Sequence, residues 1–101
     1  MDYETQGYIY FKSRRYNKLS AAEKRAIQDI VRAVTAKTGE EYYAPLLHFV
    51  TTDCGRVYIC KKYALSESTL ERKVREYYVE FARRLGENVE HRRNEKYWAQ
   101  R

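Results

Sequence analysis

Seven apolar side chains after Ser66 (Leu70, Val74, Tyr77, Tyr78, Phe81, Ala82 and Leu85) recur at helical spacing for more than four turns. That pattern demands a long helix with one buried stripe. Ser66 supplies a hydroxyl for the N-cap, Arg83 and Arg84 suit the negative end of the helix dipole, and Gly86 offers a stop. A chain of 101 residues holds one domain with a modest core. So long a stripe carries more apolar surface than so small a body easily covers, which points to a second copy as a partner. Tyr77, Tyr78 and Phe81 are the expected surface if the partner is a homodimer.

The rest of the chain divides by what it can pair with that helix. Ser20 and Glu23 have the spacing of a capping box, and Ile27, Ile30, Val31 and Val34 follow at helical intervals before Gly39, which predicts a helix over 21–37. Residues 1–19 are rich in tyrosine and end in Lys12, Arg14, Arg15 and Lys18. The Gly-Tyr-Ile-Tyr-Phe run at 7–11 has strand propensity, so a short extended arm is expected there. Between 40 and 60 two readings stand. Tyr43, Leu46, Leu47 and Val50 fit one helical face with Pro45 in the first turn, yet 48–60 also reads as a β-hairpin turning at Asp53, Cys54 and Gly55. Residues 87–101 are expected to be a basic tail, either loose or forming a short final helix, with Tyr97 and Trp98, the latter read as a docking residue.

The expected architecture is mostly α: a bundle of three or four helices with a C-terminal helix-turn-helix and a short N-terminal extended segment. Its regions are a basic arm (1–19), a helical domain (20–86) and a tail (87–101).

The stretch from Arg56 to Val74 carries the functional reading. It fits two helices joined by a tight corner. Ile59 and Tyr63 face the core, Cys60 occupies the point of close approach, Ala64 makes the turn, Leu65 plugs the corner, and Ser66 caps the second helix. With Leu70 and Val74 inward, the opposite face presents Ser66, Glu67, Ser68, Glu71, Arg72 and Arg75. Such a helix enters a major groove with its first turns on the base edges. Arg72 is suited to guanine, Ser68 and Thr69 to phosphates or bases, and Lys61, Lys62 and Lys73 to the backbone from the flanks. Glu67 and Glu71 repel phosphate, although glutamate accepts from cytosine; Glu71 can alternatively close a capping box with Ser68, starting the helix two residues later.

Residues 61–74, Lys-Lys-Tyr-Ala-Leu-Ser-Glu-Ser-Thr-Leu-Glu-Arg-Lys-Val, resemble the helix-turn-helix of small regulators carried by bacteriophages and mobile elements. They are similar to the sigma-like DNA-binding region of phage late-transcription regulators of the RinA and ArpU kind. The resemblance covers about a fifth of the chain. It implies that 66–75 is the reading helix, that 57–63 supports it, and that the role is transcriptional control. Ala64 stands where such motifs usually carry glycine, and Cys60 where they carry alanine.

Charge agrees in direction. Residues 1–55 hold 8 Lys/Arg against 7 Asp/Glu, whereas 56–101 hold 12 against 7. Excess positive charge on one half suits a polyanion. With 44% hydrophobic and 34% charged residues the chain reads as globular and cytoplasmic, with no signal peptide and no apolar run that spans a bilayer. Cys54, Cys60, His48 and His91 lack zinc-site spacing, and no nucleophile–base signature or phosphate loop stands out. Neither metal, cofactor nor enzymatic activity is expected. The expected function is sequence-specific binding of double-stranded DNA. The alternatives are a protein-interaction module, such as a small phage-encoded inhibitor, and an RNA-binding domain using the tyrosine-rich arm and a hairpin.

Overall fold

A computed structural model describes residues 2–36 and 39–99, with side chains through residue 86. Its α-helices are α1 (Tyr3–Arg14), α2 (Ala21–Thr35), α3 (Tyr43–Thr51), α4 (Arg56–Tyr63) and α5 (Glu67–Ala99). Two 3-10 turns, Tyr16–Lys18 and Glu40–Tyr42, precede α2 and α3. The fold is an all-α bundle with five α-helices, not three or four, and no strand among the described residues.

The N-terminal segment is a helix, not the extended arm its tyrosines suggest. Asp2 caps it by accepting from the Thr5 N–H at 2.7 Å, Glu4 lies in its first turn, and Lys12 and Arg14 lie in its last. Only Ile9 and Ser13, four residues apart, are buried from α1, so its aromatics point outward and gave no helical stripe to read. What holds α1 in place is tertiary. Ile9 enters the common core, and the Ser13 hydroxyl meets the Tyr77 hydroxyl at 2.6 Å in a buried hydrogen bond. Burial pushes the Tyr77 phenol well above its ordinary range, so it stays neutral.

In α2, Ser20 caps as expected by accepting from the Glu23 N–H at 3.2 Å. The Glu23 carboxylate accepts from the Ser20 hydroxyl at 3.1 Å and pairs with Lys12 at 2.8 Å, which ties α2 to α1. The expected end of this helix at Lys37 lies outside the described residues. Pro45 sits in the first turn of α3, where its missing N–H costs nothing. Thus 48–60 is helix, loop and helix; the hairpin is absent because Leu46, Val50 and Ile59 are buried at helical registers.

The core joins Ile9, Ile27, Ile30, Val31, Val34, Leu46, Val50, Tyr77 and Phe81, drawn from α1, α2, α3 and α5. Tyr77 and Phe81 are thereby spent inside their own chain, and Tyr78 is half-buried, so the surface expected for a homodimer is closed. The helix α5 does not stop at Gly86 but runs on to Ala99, so 87–99 is neither a loose tail nor a separate final helix but the continuation of α5. The side chains of Tyr97 and Trp98 lie outside the described residues. Among the described residues no helix is long and apolar enough to cross a membrane.

Candidate nucleic-acid interface

The corner between α4 and α5 is built from three residues. Ala64 adopts φ 55° and ψ 50°, the left-handed conformation that closes a helix without a glycine. Its successor Leu65 donates its N–H to the Cys60 carbonyl at 3.0 Å. Ser66 then starts α5: its hydroxyl accepts from the Thr69 N–H at 3.2 Å and its carbonyl from the Leu70 N–H at 3.1 Å. The alternative start two residues later does not occur. Ile59 and Leu70 are fully buried, as the helix-pair reading requires.

Three polar contacts brace this corner, one within it and two to the rest of the bundle. Glu71 of α5 pairs with Arg56 at the start of α4. The Tyr63 hydroxyl near the end of α4 lies 3.0 Å from Nδ1 of His48 in α3. Arg14 of α1 reaches Asp53, in the loop that feeds α4, at 2.5 Å. The pair α4–α5 is therefore held at both ends of α4, which limits its freedom to reorient.

The expected site residues fall into two groups. Lys61, Lys62, Ser66, Glu67, Ser68, Arg72 and Arg75 are exposed on the outer surface of α4, the corner and the first turns of α5. Ser68, Arg72 and Arg75 follow each other at spacings of four and three, and so share one helical face. A shallow groove along that face is walled by Ala33 and Val34 of α2 and continues to Val79. Among the described residues Arg72 and Arg75 have no carboxylate partner. Lys62 rests over the rings of Tyr58 and Tyr63, at 5.9 and 5.7 Å from their centroids.

The second group is withdrawn from solvent or engaged. Lys73, expected on a flank, is 2% exposed. Its ammonium lies 3.3 Å from the Glu76 carboxylate and 5.7 Å from the centre of the Tyr42 ring. The spacing explains this: Lys73 lies three after Leu70 and four before Tyr77, on the edge of the buried stripe. Thr69 is half-buried, and its hydroxyl accepts from Ser66 at 2.7 Å. Glu71 is exposed, but its charge is answered by Arg56.

Sequence reasoning passed over three residues here. Arg56 matters because it neutralises Glu71. Val57 and Tyr58, 57% and 52% exposed, place apolar surface on the outer side of α4. The signal was available, since both immediately precede the inward-facing Ile59 and so lie off its face. Comparison with protein-family models, with curated proteins and with solved structures gave no match.

Proposed function

We propose that this chain binds duplex DNA in a sequence-specific manner, with α4 and α5 acting as a helix-turn-helix whose reading helix is the start of α5. The observation that carries the reading is the corner itself. Left-handed Ala64, the Leu65-to-Cys60 hydrogen bond and the Ser66 cap turn Leu70 inward while Ser68, Arg72 and Arg75 stay exposed on one face. Arg72 and Arg75 are planar donors suited to guanine edges or phosphate. Lys61 and Lys62 flank them from the end of α4 and supply backbone contacts. With Glu71 paired to Arg56, the other acids along this face are Glu67, Glu76 and Glu80; Glu76 faces Lys73, and Glu80 pairs with Arg83 and Arg84. Transcriptional control in a phage or mobile element is the role that the resemblance over 61–74 implies.

Selection from a pool of random duplexes tests the reading. A recovered consensus, with Arg72→Ala relaxing preference at one position, supports it; retention of no duplex at low salt contradicts it.

A protein-interaction module is the second reading, favoured by one observation. Tyr3, Tyr8 and Phe11 stand exposed on α1, and Tyr8 and Phe11 border a groove with Lys12 and Arg15. Under that reading Phe11→Ser abolishes partner binding while no duplex is recovered. The RNA-binding alternative loses the hairpin on which it drew.

A further inference from the structure

His48 joins Tyr63, which helps to hold the corner, to Cys54, which the proposed DNA interface does not use. Its Nδ1 lies 3.0 Å from the Tyr63 hydroxyl, and its Nε2 lies 3.7 Å from Sγ of Cys54. Both imidazole nitrogens are thus engaged, one by a thiol and one by a phenol. The rings of Tyr58 and Tyr63 stand edge-on to the imidazole, with centroids 6.2 and 5.9 Å away. Thr52 sets the position of the sulfur. Its hydroxyl donates to the His48 carbonyl at 2.6 Å and accepts from the Cys54 N–H at 3.5 Å. The cysteine backbone is thereby tethered to the residue whose ring faces its thiol.

The surroundings suit a reactive sulfur. Cys54 and His48 are half-buried, so neither is sealed inside the core. The adjacent Asp53 carboxylate is answered by Arg14 at 2.5 Å, and the Lys62 ammonium lies over the rings of Tyr58 and Tyr63. Thiol, imidazole and phenol thus stand in a line, the arrangement in which an imidazole can assist a thiol. Cys60 is also half-buried but has no imidazole partner among the described residues.

We propose that Cys54 is a modifiable thiol that exchanges with low-molecular-weight disulfides, with His48 as its proton acceptor and Tyr63 as the positioning residue for His48. In the exchange, Nε2 of His48 takes the thiol proton as Sγ attacks one sulfur of the small disulfide. The S–S bond of the reagent breaks, and a new S–S bond joins Cys54 to one half. The other half leaves as a thiolate and takes the proton back from the imidazolium. The Cys54 sulfur is oxidised and the leaving sulfur is reduced, so the small disulfide is the only oxidant needed. While the imidazolium exists, the Tyr63 oxygen accepts from Nδ1–H and keeps Nε2 aimed at the sulfur. This inference does not rest on DNA binding.

The test uses the whole chain, incubated with glutathione disulfide at neutral pH and mapped by peptide mass spectrometry. Cys54 is expected to acquire glutathione about tenfold or more faster than Cys60, and dithiothreitol to reverse it. In His48→Gln the rate at Cys54 falls to that of Cys60. Tyr63→Phe, which keeps the ring and removes only the hydroxyl, gives an intermediate rate; a rate equal to wild type overturns the positioning role. Equal rates at the two cysteines of the wild-type chain overturn the proposal, and that comparison needs no variant to fold. A folded His48→Gln protein that reacts as fast as wild type overturns it as well.

Discussion

Ala64 occupies the left-handed region at φ 55° with a side chain that glycine would lack. The conformation costs an L-residue roughly 1–2 kcal/mol. Glycine removes that strain but adds freedom to the unfolded chain worth roughly 0.5–1 kcal/mol. Ala64→Gly is therefore expected to raise stability by roughly 0.5–1 kcal/mol in urea melts while leaving ligand binding intact. A loss of stability indicates a different corner. The buried pair Ser13–Tyr77 makes the opposite kind of prediction. Ser13→Ala or Tyr77→Phe alone strands a buried hydroxyl and costs about 1–3 kcal/mol, whereas the double variant costs clearly less than the sum of the two. Additive costs in that double-mutant cycle show that the two hydroxyls do not meet.

At the scale of elements, legibility followed the clarity of the stripe. The helix α2 was readable because Ser20 caps it and Ile27, Ile30, Val31 and Val34 line one face. The start of α5 was readable for the same reasons, with Ser66, Leu70 and Val74. By contrast, α1 was misread because its buried face consists of Ile9 and Ser13 alone, and its anchoring hydroxyl partner lies 64 residues away. Local propensity cannot register such a contact. The candidate site was legible in its exposed members but not in Lys73, whose charge suggested a surface that its register denies it. Gly86 was misread as a terminator. A β-carbon added there meets nothing within 4 Å, and α5 continues through it to Ala99. Gly86→Ala is accordingly expected to stabilise the chain by about 0.5–1 kcal/mol, whereas a left-handed cap at that position would make alanine destabilising. Thermal melting of the single variant distinguishes the two.

Over the whole molecule, one core drawn from α1, α2, α3 and α5 supports a corner pinned by Arg56–Glu71, His48–Tyr63 and Arg14–Asp53. The bundle covers the stripe that a second copy was expected to cover, and leaves the first turns of α5 free to meet a ligand. The cations available to a polyanion there are Lys61, Lys62, Arg72 and Arg75; Lys73 is not among them. The most direct test of the DNA-binding account is the affinity for the selected duplex, measured by fluorescence anisotropy across a range of salt concentrations. The logarithm of the association constant is expected to fall against the logarithm of salt with a slope of roughly −2 to −4, about 0.9 for each phosphate neutralised. Lys62→Ala lowers that slope by about one and weakens all sequences alike, Arg72→Ala narrows the gap between selected and scrambled duplexes, and Lys73→Met leaves the slope unchanged. A binding constant indifferent to salt and to Arg72→Ala, or no binding at all, contradicts the account.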